Sequence, residues 1–310
     1  MPGVDGRRRA TATALIGLAL AACGAPPPTT TPKVLILGLD GIRPDRLAAV
    51  PTPVLDSLAA QGAFSDSATT RPPTVSGPGW SSMLIGVWAD KHGVVNNDFT
   101  TNAYARYPDL LTRIEGVRPA LGTLAVLDWP PLGTVADGGP LISDRVDRKV
   151  TLAGDSLGYH VADSLTAALA AETLATGSVD AAFVYFGDVD EVGHAHGTLS
   201  PEYAAAIAVV DGQVGQVLAG LRRRPTYDAE DWLVLVSTDH GRRDDGGHGG
   251  ESAAERTIFV IMSGPSVRGH AFDRPPAIVD IAVTALAHLG VAVDPAWGLD
   301  GRSLLPPRSP

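Results

Sequence analysis

The 310-residue sequence contains a single cysteine, Cys23. One cysteine cannot form an internal disulfide, and a cysteine zinc cluster is excluded for the same reason. Positive charge is also in short supply, because 24 Lys and Arg stand against 34 Asp and Glu, giving a formal net charge of −10. Such a chain has no surplus cations to displace counterions from a nucleic acid backbone, so we expect no binding of that kind. A small anionic substrate remains compatible with this charge, because bound metal ions can supply local positive charge.

Long hydrophobic runs are scarce, and we find no interior segment that predicts a membrane span. The sequence begins with the basic residues Arg7, Arg8 and Arg9, followed by an apolar, small-residue stretch at 10–22 that is too short to cross a bilayer. The stretch ends in Leu-Ala-Ala-Cys-Gly at residues 20–24, which resembles a bacterial lipobox. In such signals the cysteine is acylated and becomes the mature N terminus, so we expect lipidation of Cys23. An ordinary secretory signal is the alternative.

These features predict three segments. Residues 1–22 form a lipoprotein signal peptide, and residues 23–32 form a flexible tether rich in Pro and Thr. Residues 33–310 form a single domain, since they are enough for one large core. A lipid on Cys23 would hold this domain at a bacterial cell surface, on the outer face of the membrane or in the periplasm, while the domain itself stays in water.

Five apolar runs rich in β-branched residues predict the buried strands of a mostly parallel sheet. They lie at residues 34–39, 123–127, 181–186, 232–237 and 257–262. Helical patterns occur at residues 53–61, 155–176, 201–221 and 277–289. This alternation predicts a single doubly wound α/β fold, with helices flanking both faces of the sheet. The basic run at residues 222–224 ends the third helical pattern, and we interpret it as a solvated last turn that complements the helix dipole.

Acidic residues follow three of the predicted strands. Asp40 comes after the first strand, Asp188 and Asp190 after the third, and Asp239 with His240 after the fourth. In an open α/β sheet, ligands bind at the carboxyl ends of the strands. A single Asp in such a place is often a turn residue or a helix cap, but three sites, two of them with a nearby His, indicate a shared function.

The spacing of Asp and His residues suits metal binding. Asp190 and His194 are four residues apart, with Gly193 between them to permit a tight turn, and His248 lies in the flexible segment Gly-Gly-His-Gly-Gly. Mixed Asp and His ligation is typical of zinc and other borderline divalent ions. Two such ions about 4 Å apart can bind both the attacking and the leaving oxygen of a phosphoryl transfer.

Three motifs resemble the metal motifs of alkaline phosphatases. They are Leu-Gly-Leu-Asp-Gly at 37–41, Asp-x-x-x-His at 190–194 and Ser-Thr-Asp-His-Gly at 237–241. The branch that the sequence resembles most is the type I phosphodiesterase/nucleotide pyrophosphatase group. The similarity covers nearly all of residues 33–305 and includes the closing Leu-Asp-Gly-Arg-Ser-Leu at 299–304. It implies an alkaline phosphatase-like fold and makes residues 33–310 a catalytic domain.

The resemblance implies two metal sites, with zinc favoured and manganese, iron or calcium as alternatives. Asp190, His194 and His248 would hold one ion. Asp40, Asp239 and His240 would hold the other, together with the oxygen of the nucleophile. His196 competes with His248 as the last ligand because it also lies near Asp190. The glycine-rich setting of His248 resembles the last histidine motif of the family and favours His248.

The segment at 76–93 resembles the nucleophile helix of the family. Ser76 lies two residues before Pro78 and ten before Gly86, and His92 and a glycine follow. Ser76 is therefore the predicted nucleophile, activated by metal coordination and helped by a helix N terminus that binds phosphate. The alternative is that Ser76 only caps the helix.

One departure from the family concerns phosphate binding. The phosphodiesterase branch commonly has Asn three residues after the nucleophile, and this sequence has Gly79 there. A backbone N–H at Gly79, the side chain of Trp80, or Asn96 or Asn97 would have to take the place of that Asn. We therefore predict substrate contacts at Gly79, Trp80 and Asn97.

These features predict a metal-dependent hydrolase that acts on a small phosphate ester through Ser76 and a phosphoseryl intermediate. Within the superfamily, the alternatives are a phosphomonoesterase, a phosphomutase-like transferase and a sulfatase. A sulfatase needs Cys or Ser in a Cys/Ser-x-Pro-x-Arg pattern, and this sequence has Trp80 where Arg is required. A non-catalytic, metal-binding surface lipoprotein is the alternative from another class.

Overall fold

Seven strands form one sheet within residues 1–3, 30–134 and 140–306, which are the residues that the computed structural model describes. The strands are β1 (Thr31–Leu39), β2 (Ala63–Thr69), β3 (Thr123–Leu127), β4 (Arg148–Thr151), β5 (Ala181–Phe186), β6 (Glu230–Ser237) and β7 (Thr257–Ser263). Their order across the sheet is β2-β7-β6-β1-β5-β3-β4. The predicted signal peptide lies almost wholly outside the described residues, and so does Cys23. β1 starts at Thr31, two residues before the predicted start of the domain.

The sheet is mostly parallel, which confirms the predicted fold class. β1 pairs in parallel with β5 on one side and β6 on the other, and β3 pairs in parallel with β5 and β4. β7 is the exception, because it runs antiparallel to both β6 and β2. The central strands are buried on both faces, which explains why they appear in the sequence as continuous apolar runs rather than alternating ones.

Helices cover both faces of the sheet. The α-helices of the described ranges are α1 (Pro44–Leu47), α2 (Pro53–Gln61), α3 (Ser76–Ile85), α4 (Ala89–His92), α5 (Leu110–Val117), α6 (Gly154–Leu157), α7 (Tyr159–Thr176), α8 (Asp188–His196), α9 (Pro201–Arg222), α10 (Ala253–Arg256) and α11 (Asp280–His288). Ile36 of β1 belongs to the core under α3, α5 and α11, whereas its neighbours Leu35 and Leu37 belong to the core under α2, α7 and α9. This alternation places β1 between two apolar layers.

Two predictions of local structure, one of a helix and one of a turn, need correction. The helix predicted at residues 155–176 is divided into α6 and α7 by Gly158, which has a φ of 80°. A residue in that left-handed conformation cannot continue a right-handed helix. The tight turn predicted around Gly193 is instead part of α8, which carries Asp190 and His194 on successive turns.

The basic run at residues 222–224 is only partly solvated. Arg222 and Arg223 are exposed, but Arg224 is buried and its Nε lies 2.9 Å from Oε2 of Glu230. Burial would raise the pKa of Glu230, but the hydrogen bonds from Arg224, Trp232 and Thr226 outweigh burial and lower that pKa to about 2. Arg224 therefore joins the end of α9 to the start of β6 rather than serving the helix dipole alone.

Among the described residues, α9 is the one helix long and apolar enough to cross a membrane by length and composition. It packs against α2, α7 and α8, and its apolar side chains Val210 and Val214 lie in the core next to the sheet. These contacts are those of a core helix in a globular domain.

Candidate metal centre and nucleophile

The predicted site residues come together at the carboxyl ends of three adjacent strands. Asp40 follows β1, Asp239 and His240 follow β6, and α8 with Asp190 begins two residues after β5. Because β6, β1 and β5 are neighbours in the sheet, their ends meet at one edge. α3 approaches the same edge with its first residue, Ser76. The topology therefore explains how residues 200 positions apart in the sequence form one site.

Asp40, Asp239 and His240 form the first cluster. Nε2 of His240 lies 3.6 Å from Oδ1 of Asp40 and 3.3 Å from Oδ2 of Asp239, and all three side chains are almost fully buried. Oδ1 of Asp40 and Oδ2 of Asp239 are buried without any hydrogen-bond partner. Two carboxylate oxygens left unpaired in a low-dielectric interior are costly, and a shared cation removes that cost.

Electrostatics points the same way. Burial, and next to it the neighbouring Asp40 carboxylate, raise the pKa of Asp239 well above its usual range in the protein alone. Burial also lowers the pKa of His240, which keeps the imidazole neutral and its lone pair available. Two carboxyl groups and a neutral imidazole that converge on one position form a suitable ligand set for a divalent ion. The chemistry of these residues therefore fits a bound metal.

Two buried donors orient Asp40. Nε1 of Trp80 donates to Oδ2 of Asp40 over 2.9 Å, and the hydroxyl of Tyr185 donates to the same oxygen over 2.6 Å. Burial and the nearby Asp40 carboxylate raise the pKa of Tyr185, so the phenol keeps its proton and remains a donor. With Oδ2 occupied in this way, Oδ1 is the oxygen that faces the cluster. Such outer hydrogen bonds fix the orientation of a metal ligand.

His240 also links the cluster to Ser76. Its Nδ1 lies 3.0 Å from the carbonyl oxygen of Gly241, which can only accept, so we assign the ring proton to Nδ1. Nε2 is then an acceptor, and it lies 3.2 Å from Oγ of Ser76. The Ser76 hydroxyl is thus placed within reach of the same point on which the carboxylates converge.

Asp190, His194 and His248 form the second cluster. Nε2 of His194 lies 3.2 Å from Oδ2 of Asp190 and 2.9 Å from Nε2 of His248. Nδ1 of His248 lies 2.8 Å from the carbonyl oxygen of Thr74, so the same assignment leaves Nε2 of His248 free of a proton and facing the cluster. Burial, together with the neighbouring His240, lowers the pKa of His248 to about 2. A neutral imidazole is again the form that binds metal.

His196, the alternative last ligand, lies apart from this cluster. It is exposed at the end of α8, two residues beyond His194 and therefore on another side of the helix. His248 instead approaches both clusters, because its ring stacks on that of His240 with centroids 3.9 Å apart. The geometry favours His248 as the ligand.

We therefore expect His248→Ala to lower the metal content of the protein, whereas His196→Ala should leave it unchanged. The physical reason is that only His248 presents a ring nitrogen to the other ligands. Metal analysis of the two purified variants after identical loading would measure the difference. Loss of metal from His196→Ala together with full loading of His248→Ala would show that the ligand assignment is reversed.

Sequence reasoning missed Arg242, a fully buried residue that is hydrogen-bonded to Asp190. Nη2 of Arg242 donates to Oδ1 of Asp190, and Nη1 donates to the carbonyl oxygen of Gly246 over 3.0 Å. Arg242 therefore joins α8 to the loop that carries His248, and it leaves Oδ2 of Asp190 to face His194. A Cβ atom on Gly41 or Gly193 would collide with the guanidinium. These two glycines lie inside predicted ligand motifs, but nothing in the sequence pattern connects them with Arg242.

The three predicted substrate contacts, Gly79, Trp80 and Asn97, do not all reach the cavity at the metal centre. A cavity of about 120 Å³ above the clusters is lined by Ser76, His194, His248 and Asn97, and also by the aromatic residues Trp129, Tyr159 and Tyr185. Gly79 packs against Asp239, where a Cβ would come within 2.9 Å of the Asp239 Cβ, so the position has no room for Asn. Trp80 is fully buried beneath Asp40 and does not line the cavity.

Asn97 is the predicted substrate contact that does reach the cavity. Its Oδ1 accepts a hydrogen bond from the backbone N–H of Gly77 over 2.7 Å. That bond holds the oxygen toward α3, and the residue lines the same cavity as Ser76. Asn97 is therefore the better placed of the predicted replacements for the family Asn.

This chain has relatives among family models, curated proteins and solved structures. The model of the type I phosphodiesterase/nucleotide pyrophosphatase family matches residues 34–115 and 125–245, and a model described as a domain of unknown function matches residues 254–305. The first match contains Ser76 and every residue of the two clusters except His248. His248 lies just beyond it.

Curated relatives agree with this match. The chain is 26% identical over 232 residues to mouse ectonucleotide pyrophosphatase/phosphodiesterase family member 7, which covers 67% of this chain and 49% of the relative. It is 24% identical over 229 residues to a bis(5'-adenosyl)-triphosphatase of Xenopus laevis, with 70% and 48% covered. The chain thus spans about half the length of these curated relatives.

Solved structures share the fold. A murine ectonucleotide pyrophosphatase/phosphodiesterase 5, an inactive variant in complex with AMP, superposes with a TM-score of 0.65 at 16% identity, covering 84% of this chain and 96% of that one. A phosphonate monoester hydrolase from Silicibacter pomeroyi superposes with a TM-score of 0.66 at 18% identity, covering 88% and 76%. The fold and the motifs define a member of the alkaline phosphatase superfamily. Within it, this chain belongs to the type I phosphodiesterase/nucleotide pyrophosphatase family.

Proposed function

We propose that this protein hydrolyses phosphoric esters with two bound divalent metal ions and Ser76 as the nucleophile. The observation that carries the proposal is the convergence of the Ser76 hydroxyl, 3.2 Å from Nε2 of His240, on two buried carboxylate oxygens that have no other partner. Family membership supports the same chemistry, and the two curated relatives described above are named as a nucleotide pyrophosphatase/phosphodiesterase and a bis(5'-adenosyl)-triphosphatase.

The two clusters supply the ligands. Asp40, Asp239 and His240 would hold one ion beside Ser76, and Asp190, His194 and His248 would hold the other. Three protein ligands at each position, all carboxylate or imidazole, favour zinc, with manganese, iron or calcium as alternatives. When bound, the ions would lower the pKa of the serine hydroxyl and stabilise negative charge on the reacting oxygens.

The proposed reaction proceeds in two displacement steps at phosphorus. Ser76 Oγ gives up its proton and attacks phosphorus in line, so that an Oγ–P bond forms, the bond from phosphorus to the opposite, leaving oxygen breaks, and the leaving oxygen takes up a proton. Water then attacks the phosphoseryl group from the side that the leaving group has vacated, opposite Oγ. The Oγ–P bond breaks, and Oγ recovers a proton from the attacking water. Asn97, which lines the cavity beside Ser76, would contact the nonreacting phosphoryl oxygens throughout.

A panel of chromogenic esters tests this function. We expect the metal-loaded protein to hydrolyse bis(p-nitrophenyl) phosphate faster than p-nitrophenyl phosphate, because family membership favours diesters, and to lose activity on chelation. p-Nitrophenyl sulfate should be inert, because Trp80 replaces the arginine of the sulfatase pattern. Faster turnover of the monoester would make the protein a phosphomonoesterase, and turnover of none of the three would favour a non-catalytic metal-binding role.

We also propose that the protein is anchored to the bacterial cell surface by a lipid on Cys23. The support is the sequence alone: the chain's single cysteine lies where a lipobox requires it. Cys23→Ser should release the protein from the membrane fraction into the periplasm or medium, because the thiol that carries the lipid is removed. Immunoblots of separated fractions measure this, and unchanged membrane partition of the Cys23→Ser protein would refute the anchor.

A further inference from the structure

A second and larger cavity lies apart from the metal centre. It has a volume of about 520 Å³ and is formed by α5, by nearby residues on both sides of that helix, and by Trp297. It shares no lining residue with the cavity above Ser76. A volume of this size lies in the range of about 300–1,000 Å³ that is typical of small-molecule sites.

The base of this cavity contains an unusual arginine. Arg113 of α5 is only 6% exposed, and its Nε and Nη2 atoms are buried without a hydrogen-bond partner. Its guanidinium stacks on the ring of Trp297, with Cζ 4.8 Å from the ring centroid. Burial of the guanidinium lowers the pKa of Arg113 despite the nearby Asp109. A buried cation with unmet donors is unfavourable unless an acceptor reaches it.

Asp109 does not serve as that acceptor. Its carboxylate caps α5, where Oδ1 accepts from the backbone N–H groups of Leu111 and Thr112 over 2.9 and 3.1 Å. Oδ2 accepts from the Thr112 hydroxyl. Both oxygens are therefore occupied, and among the described residues no carboxylate forms a salt bridge with Arg113.

The remaining walls combine apolar surface with a second positive charge. Leu141 and Val117 line the cavity together with two prolines, and the exposed Arg145 lies at its edge. Asp109, already hydrogen-bonded, is the one acidic side chain among the described lining residues. Two arginines against one already hydrogen-bonded carboxylate give this cavity a local positive charge, which is complementary to an anion.

We propose that this cavity binds an organic monoanion with an apolar body, whose acidic group pairs with Arg113 and whose apolar chain lies against Leu141, Val117 and Trp297. Arg113 lines the cavity, but its Nε and Nη2 atoms are shielded from solvent, so pairing requires the guanidinium to turn toward the acidic group while the apolar part fills the rest of the cavity. A medium-chain carboxylate has the required charge and shape. Inorganic anions lack the apolar part, and neutral alcohols lack the charge.

Calorimetric titration of the intact, metal-loaded protein with octanoate tests the proposal, with 1-octanol as the neutral counterpart. Octanoate should bind at one site, and Arg113→Met should weaken its binding by about 10-fold or more, because a charge-assisted pair is lost while the apolar stem remains. Binding of 1-octanol should be the same in both proteins. The matched control is Arg106→Met, which removes an exposed arginine outside the cavity and should bind octanoate normally.

A second variant keeps the test decisive if Arg113→Met folds poorly. Val117 lines the cavity but is 47% exposed, so Val117→Trp should fold while its indole fills the site and abolishes octanoate binding. Saturating inorganic phosphate, which competes for the metal centre, should leave octanoate binding unchanged. Displacement of octanoate by phosphate, equal affinity in Val117→Trp, or no binding to the unaltered protein would each overturn the proposal.

Discussion

Ser76→Ala should lower ester hydrolysis by about 10³-fold or more with both metal ions still bound. Among the described residues, the variant loses the one hydroxyl that is hydrogen-bonded to Nε2 of His240, while every carboxylate and imidazole of the two clusters remains. Turnover measured on bis(p-nitrophenyl) phosphate, with metal content determined on the same sample, separates lost chemistry from lost metal. Little loss of stability is expected, since Ser76 forms no side-chain cap of α3.

The matched control is Ser81→Ala on the same helix. Ser81 is also buried, but its hydroxyl contacts the hydroxyl of Tyr104 over 2.8 Å rather than the metal centre, so hydrolysis should change little. Ser76→Thr should retain part of the activity, because threonine offers the same oxygen. Rapid quenching with substrate should trap a phosphoryl group on Ser76. Near-normal turnover by Ser76→Ala with full metal content would disprove the covalent route and leave water as the direct nucleophile.

Asp239→Asn should have the second-largest effect, and it should act in opposite directions on the metal-free and metal-loaded proteins. Without metal, Asp239 and Asp40 are two buried carboxylates side by side, so neutralising one should raise the melting temperature or leave it unchanged. With zinc, the variant should lose most of the metal-induced rise in melting temperature, since a ligand that binds only the folded state stabilises by its affinity. Hydrolysis should fall to background.

Thermal melts with and without added zinc measure both effects in one experiment. Asp45→Asn is a suitable control, because Asp45 is an exposed aspartate that pairs with Arg43 and lies outside both clusters. Its melting temperature should respond to zinc as in the unaltered protein. If Asp239→Asn kept the full zinc response, Asp239 would not be a ligand, and the first metal site would have to be reassigned.

The sequence predicted the buried parts of the fold well. The three strands that carry Asp40, Asp190 and Asp239 to one edge are continuous apolar runs, and a strand buried on both faces has no other pattern available. β2 and β4 were missed because they lie at the two edges of the sheet and are largely polar. Edge strands bury less surface, so the hydrophobic pattern that identifies a strand is weak there.

The sequence predicted which residue types form the site, but it did not predict the local backbone structure that carries them. Asp190 and His194 were predicted to lie on a tight turn permitted by Gly193, yet α8 continues through that glycine. The reason for that glycine is a side chain 49 positions away, Arg242, and no local pattern can reveal such a contact. Arg224 illustrates the same limit, because its partner Glu230 lies beyond a proline that ends the helical pattern.

The packing of Arg242 has an evolutionary consequence. Its guanidinium fills the space in which a side chain at Gly193 would lie, so we expect positions 193 and 242 to change together. Gly41 is held separately, because its φ is 67° and a Cβ there would also meet Asp190. A relative that keeps arginine at the position of Arg242 should keep glycine at position 193. A relative with a short apolar residue there is free to carry alanine at that position, and it would gain about 1 kcal/mol of helix propensity in α8. Sequence covariation between residues 193 and 242 would then trace a boundary between subgroups of the family.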